Sequence, residues 1–120
     1  MRVVWVGIAG SVGAIARYLI GRAVGPQAFP WATLVINVSG SFALAFVLTF
    51  AVQRNWSPDL STAVAVGFLG AYTTFSTFMF ESFVMGRTER AGSAVAYIAA
   101  SVALGLLAAL GGYRLARALG

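Results

Sequence analysis

The chain has 120 residues, 60% of them hydrophobic and only 9% charged, against about 25% charged in soluble domains, so we expect one integral membrane domain covering residues 1–120. It lacks Cys and His and has three acidic residues in all, which excludes disulfides and most zinc sites and makes an enzyme improbable. The net charge of +5 comes from scattered arginines, a pattern that favours anionic lipid headgroups and argues against a nucleic-acid site.

Four apolar runs are long enough to cross a bilayer, which takes about 20 residues per helix. They cover residues 3–23, 31–52, 60–80 and 91–113; the first contains Arg17 and the other three carry no charge. The first run resembles a signal peptide, but it reaches span length only when it is kept whole, so we count it as a span. Short connectors with Gly, Pro or Asn separate the runs. The sequence therefore predicts an all-α integral membrane protein with four transmembrane helices per chain.

The arginines favour neither orientation of these four helices. Those of the N-terminal side are Arg2, Arg54, Arg114 and Arg117, and those of the other side are Arg22, Arg87 and Arg90, joined by Arg17 if it counts. Because arginine bias normally sets orientation, this near tie predicts insertion in both orientations and an antiparallel homodimer. The alternative is that the first helix or the order of folding decides orientation despite the tie.

The second span carries three polar side chains at helical spacing, Thr33, Asn37 and Ser41. Residues four apart lie on one face of a helix. Polar groups in hydrocarbon either join helices through hydrogen bonds or line a polar path. The spacing leaves both interpretations of Asn37 open.

The third span contains the stretch GFLGAYTTFSTF at residues 67–78. Its glycines and threonines weaken a helix, so the chain either kinks or unwinds here. Unwound backbone survives at membrane depth only inside protein or around a cavity, and its free carbonyls suit a small cation. Phe75 and Phe78 share a helix face; they either pack or offer their positively polarised ring edges to a small anion.

Three further side chains are candidates for a polar path. Tyr97 and Ser101 are four residues apart on the fourth span, where Tyr97 supplies a hydroxyl to a path or lies at the headgroups. Glu81 ends the third span, and we expect its carboxylate at the interface. Arg17 either extends to the interface or raises the positive potential of a vestibule.

Three motifs, in chain order, resemble those of the small fluoride channel family, the Fluc or CrcB proteins. Residues 13–18, GAIARY, resemble the family's GAxxRY; residues 37–42, NVSGSF, resemble NxxGSF; and residues 67–78 resemble GFxGxxTTFSTF. The resemblance covers nearly the whole chain. This chain has Ala71 and Tyr72 where many members have Gly and Phe, which makes the predicted break stiffer.

The resemblance implies a passive fluoride-selective channel in the cell membrane, a dual-topology homodimer with two pores that expels cytoplasmic fluoride. It implies a third helix broken near its centre. The residues that it places on the fluoride pathway are Asn37, Phe75, Phe78, Tyr97 and Ser101, with the neighbouring hydroxyls of Thr74, Ser76 and Thr77. It also implies a structural Na⁺ on the two-fold axis, held by the backbone carbonyls of Gly70 and Thr73 from both copies, and it places Arg17 near an entrance.

Two other functions remain open from the residues alone. A small dual-topology cation or drug exporter would need a carboxylate inside the membrane, and the spans contain none before Glu81 at a boundary. A non-transporting membrane scaffold would explain Asn37 and the glycines as helix contacts. It would not explain the clustered residues 73–78.

Overall fold

The computed structural model describes residues 1–120 as helices joined by short loops, with no strand. The helices are α1 (Arg2–Val24), α2 (Trp31–Gln53), α4 (Phe75–Arg87) and α5 (Ala91–Leu119), and α3 consists of three consecutive segments, Pro58–Thr62, the π-helical turn Ala63–Leu69 and Gly70–Tyr72. Four helical stretches are long and apolar enough to cross a membrane, with α3 and α4 together forming the third. The predicted all-α architecture with four spans and a broken third helix is confirmed.

The surface of the protomer is apolar over most of its extent. Only 15 of 120 residues are buried, and large aliphatic and aromatic side chains are exposed along every helix. Such a surface would be unstable in water, whereas lipid tails are a good solvent for it. The chain is therefore a multi-pass membrane protein.

Local residue chemistry sets the helix ends. After α1, Gly25 adopts a φ of 73°, in the left-handed region that glycine tolerates best. Pro30 directly precedes α2, where its missing N–H costs nothing. At the start of α3, the Ser57 hydroxyl accepts a hydrogen bond from the Leu60 N–H at 3.2 Å, with Pro58 in the first turn.

The helices form two closely packed pairs, α1 with α3 and α2 with α5. At Gly13 of α1, an added Cβ would overlap the backbone of Phe68, and at Gly112 of α5 it would overlap the backbone of Phe42. Small residues allow this close approach of two backbones in a membrane. Gly7, on the same helix as Gly13, has nothing within 4 Å of an added Cβ.

The fourth spanning helix continues beyond the apolar run at residues 91–113. α5 ends at Leu119, and its 29 residues make it about 43 Å long against a hydrocarbon thickness of about 30 Å. Its C-terminal end is held by Arg54, whose Nη2 donates to the Leu119 carbonyl oxygen at 3.1 Å. The helix therefore carries Arg114 and Arg117 past the apolar layer.

Candidate functional site

The third span breaks at two threonines. Thr73 (φ −82°, ψ 157°) and Thr74 (φ −147°, ψ 121°) are both extended, between the end of α3 at Tyr72 and the start of α4 at Phe75. The Thr73 hydroxyl donates to the Leu69 carbonyl at 2.9 Å. Two adjacent β-branched residues with hydroxyls that compete for backbone groups explain why the helix ends here.

Thr74 begins the second half of the span. Its hydroxyl oxygen accepts a hydrogen bond from the Thr77 N–H at 3.3 Å and its hydroxyl also contacts the Thr77 hydroxyl at 3.2 Å. This is the N-cap geometry that threonine commonly provides. The break is therefore also a helix start, so α4 directs its N-terminal N–H groups, with their partial positive charge, toward the break.

Asn37 of α2 pairs with the exposed backbone of the break. Its Nδ2 donates to the Thr74 carbonyl at 3.0 Å, and its Oδ1 accepts from the Thr74 N–H at 2.9 Å. The amide thus replaces two backbone partners that a continuous helix would have supplied. Because the amide nitrogen has two hydrogens, one N–H remains after this pairing.

The same exchange releases two carbonyl oxygens. In a continuous helix the Thr74 N–H would bond Gly70 O and the Thr77 N–H would bond Thr73 O, but these donors go to Asn37 Oδ1 and Thr74 Oγ1 instead. Gly70 is exposed on the protomer surface. Freed backbone carbonyls of a broken helix are the kind of ligand that coordinates Na⁺ in membrane proteins, so the residues present fit such an ion.

Arg17 of α1 reaches the end of α3. Its Nε donates to the Ala71 carbonyl at 3.2 Å, and the side chain is partly buried. A guanidinium at a helix C-terminus satisfies a carbonyl and interacts favourably with the helix dipole. The positive charge of Arg17 therefore lies beside the break in the third span.

A cavity of about 310 Å³ opens beside the break. No charged side chain lines it. Seven predicted site residues contribute to its wall: Asn37, Gly70, Thr73, Thr74, Phe75, Phe78 and Ser101. Ser101 lines the cavity, and its hydroxyl oxygen is buried without a hydrogen-bond partner within the protomer.

Phe75 and Phe78 of the cavity wall and the neighbouring Tyr97, which does not line the cavity, meet at right angles. The ring centroids of Phe75 and Phe78 are 6.4 Å apart with an interplanar angle of 89°. Those of Phe78 and Tyr97 are 5.0 Å apart, again at 89°. In each edge-to-face pair, the C–H edge of one ring, which carries partial positive charge, faces the π-face of the other ring.

Tyr97 and Glu81 form a pair that the sequence did not reveal. Tyr97 is fully buried, and its hydroxyl donates to Glu81 Oε1 at 3.0 Å. The carboxylate of Glu81, which we expect at the interface, is thus bound by a side chain of the fourth span. The two residues are on different helices, and no local pattern links them.

The remaining predicted residues lie apart from this cavity. Thr77 lines a second cavity of about 490 Å³ together with Thr74, Thr33, Arg17 and Arg22. Ser76 is exposed and lines neither of the two cavities. The structure thus separates an uncharged cavity at the break from a basic cavity next to it, and Thr74 lines both.

Tyr72 also finds a partner that the sequence left unidentified. Its hydroxyl lies 3.0 Å from the Ser39 hydroxyl of α2, and its ring stacks on Phe68 with centroids 5.8 Å apart. The last turn of α3 is therefore anchored to α2 next to the break. This contact depends on the hydroxyl of the tyrosine at position 72.

The fold and the site define a class: a small multi-pass membrane protein in which a broken spanning helix borders an uncharged polar cavity. The family model of the CrcB-like protein, Camphor Resistance (CrcB), matches residues 4–113. The chain belongs to the CrcB family.

Curated relatives agree with this assignment over almost their whole length. The Fluoride-specific ion channel FluC 2 of Geobacillus kaustophilus (strain HTA426) is 47% identical over 116 residues, which cover 93% of this chain and 90% of the relative. The Fluoride-specific ion channel FluC of Rhizobium meliloti (strain 1021) is 40% identical, covering 95% of this chain and 94% of the relative. That of Ignicoccus hospitalis is 40% identical, with coverages of 97% and 95%.

Proposed function

We propose that this protein is a fluoride-selective ion channel, as its similar relatives are named. The observation that carries the proposal is the cavity beside the break, whose wall holds amide, hydroxyl and aromatic groups and no charge. An ion path must bind its ion strongly enough to admit it and weakly enough to release it. Neutral donors meet both requirements, whereas a fixed arginine at the narrowest point would hold the anion.

The donors suit a small, strongly hydrated anion. Fluoride gives up water only where hydrogen-bond donors or positively polarised edges replace it. Asn37, which keeps one amide N–H, the unpartnered Ser101 and the rings of Phe75 and Phe78 all line this cavity. We infer that fluoride passes along these groups, with Tyr97 next to Phe78 as a further member.

A second copy of the chain is part of the proposal. Gly70 and Phe75 both line the cavity and are both exposed, Phe75 to 68%. The cavity therefore opens on the surface of the protomer, where unwound backbone and polar groups would otherwise meet lipid. Together with the near tie in arginine distribution, this favours a dual-topology homodimer in which a second protomer covers the break and two pores form.

The freed carbonyls of Gly70 and Thr73 would hold a structural Na⁺ in that dimer. One protomer offers too few oxygens for a sodium ion, and a two-fold partner would double the number. The ion would neutralise the partial negative charge at the end of α3 and join the two copies. Arg17, bound to the neighbouring Ala71 carbonyl, would support the same end of α3 from within the protomer.

The proposed transport is passive and takes place in the cell membrane. Hydrogen fluoride crosses lipid as a neutral molecule and ionises in the cytoplasm, where the anion is trapped. A channel then lets the membrane potential, worth about 2.3 kcal/mol per charge at 100 mV, drive fluoride out of the cell. The protein needs only to discriminate among anions.

Fluoride efflux from liposomes tests the function. The purified protein is reconstituted in vesicles loaded with potassium fluoride, valinomycin is added, and external fluoride is followed with an electrode. Fluoride release without chloride release supports the channel. Release that requires a proton gradient and an organic cation would identify a cation or drug exporter, and vesicles that retain every ion would identify a non-transporting scaffold.

The orientation of the chain is tested separately. Reporter fusions at the C-terminus, one active only in the cytoplasm and one only outside it, should both give signal if the chain inserts in both orientations. A single active reporter would overturn dual topology and, with it, the antiparallel dimer. The efflux result would not be affected by that outcome.

A further inference from the structure

A third cavity, of about 410 Å³, lies at the end of the protomer where α1 finishes and α5 starts. Its wall is formed by the α1–α2 loop, the second half of α4 and the residue that precedes α5. Two charged side chains line it, the carboxylate of Glu81 and the guanidinium of Arg90. A carboxylate repels anions, so the balance of charge in this cavity depends on Arg90.

Arg90 is held in place by neutral partners. Its Nη1 donates to the Ala28 carbonyl at 2.7 Å, and its backbone N–H donates to the Met85 carbonyl at 3.1 Å. The preceding residue, Glu89, has a φ of 60°, which turns the chain sharply between α4 and α5. The single ion pair of the protein joins Arg2 to Asp59. The charge of Arg90 is therefore fixed at the cavity without a carboxylate partner.

This cavity is adjacent to the basic one. Gly21, Gly25 and Thr33 line both the Arg90 cavity and the cavity that contains Arg17 and Arg22. The basic cavity in turn shares Thr74 with the uncharged cavity at the break. The Arg90 cavity, the basic cavity and the cavity at the break therefore lie next to one another, in that order.

We propose that Arg90 collects anions for the channel: its positive potential offsets Glu81 and raises the local concentration of fluoride at this entrance. The inference rests on the proposed fluoride conduction and adds to it a residue outside the motifs shared with the family. Charge at the mouth of a path changes the rate of ion entry, and salt screens the effect.

Three variants separate the charge of Arg90 from its hydrogen bond to Ala28. Arg90→Gln removes the charge and keeps a donor for the Ala28 carbonyl, whereas Arg90→Lys keeps the charge. Arg87→Gln is the matched control, since Arg87 lies on the same side of the protein, stacks on Phe83 at 5.6 Å and does not line the Arg90 cavity. Each protein is reconstituted, and initial fluoride efflux is measured at limiting fluoride in low and in high potassium gluconate.

We expect Arg90→Gln to slow efflux about threefold at low ionic strength, as one charge several ångströms from the ion path would, and to match the wild type at about 0.5 M salt. Arg90→Lys and Arg87→Gln should release fluoride at close to the wild-type rate at both salt concentrations. Equal efflux rates for Arg90→Gln and Arg87→Gln at low salt would overturn the inference. So would a reduced efflux rate of Arg90→Gln that persists at high salt, or an equal reduction in Arg90→Lys. If the wild type itself releases no fluoride, the proposed function fails first.

Discussion

Asn37 and Thr74, 37 residues apart in sequence, form a two-hydrogen-bond pair in which a side-chain amide takes the place of backbone. The amide closes the ladder that the extended threonines interrupt, and it does so from a different helix. Breaking a spanning helix leaves backbone groups that lipid cannot satisfy. This pair therefore satisfies the Thr74 backbone groups that the break exposes within the protomer. The cavity beside the break depends on this pair.

Asn37→Ala should destabilise the protein. The substitution leaves the N–H and the carbonyl of Thr74 without partners, at a cost of about 1–3 kcal/mol for a poorly hydrated polar group. We expect a lower melting temperature in detergent and a loss of fluoride efflux. The control is Ser39→Ala on the same helix, which removes an exposed hydroxyl and its contact with Tyr72 but leaves no backbone group unpaired, and should cost less. An unchanged melting temperature for Asn37→Ala would show that the pair carries no stability.

Phe75→Ile and Phe78→Ile should reduce fluoride efflux while the protein keeps its size on gel filtration. Isoleucine retains apolar bulk but has no polarised ring edge, so it removes a proposed contact with the anion rather than the fold. Phe83→Ile is the control, because Phe83 is on the same helix and is also exposed, at 58%, but does not line the cavity. Efflux equal to the wild type in both test variants would remove the two rings from the pathway.

Gly13→Ala should be far more harmful than Gly7→Ala, although both lie on α1. A Cβ at position 13 meets the backbone of Phe68, which cannot move aside as a flexible side chain could, whereas position 7 has nothing within 4 Å. We expect a cost of about 1–3 kcal/mol at position 13 from overpacking. At position 7 we expect no destabilisation, since alanine favours a helix more than glycine does. Equal melting temperatures for the two variants would contradict the close crossing of α1 and α3.

Removal of sodium should weaken the assembly. Purification with N-methyl-D-glucamine in place of Na⁺ should lower fluoride efflux and shift the protein toward the monomer on gel filtration, because the freed carbonyls of Gly70 and Thr73 would lose their cation. Returning Na⁺, but not N-methyl-D-glucamine, should restore both. Activity and size that do not respond to the exchange would exclude these carbonyls as a required cation site.

Much of the fold follows from local properties of the chain. Apolar runs of span length predict the four crossings, and the glycines and threonines of residues 67–78 predict a weakened helix, which leaves a kink and an unwound break both open. Only some contacts of the site can be predicted from residues that are neighbours in the sequence. Phe75 and Phe78 are three residues apart and must share a face, but the pairing of Tyr97 with Glu81 crosses from one helix to another and has no signal in the spacing.

The sequence by itself determined that this protein resides in lipid, that it crosses the membrane four times and that its third helix is weakened near its centre. These properties depend on hydropathy and backbone propensity, which act over a few turns. Only the tertiary structure decided that Asn37 binds the interrupted backbone, that Arg17 holds the Ala71 carbonyl, and that Arg90 shares a cavity with Glu81. Such partners depend on how closely and at which level the helices cross, and the packing of the whole bundle sets those distances.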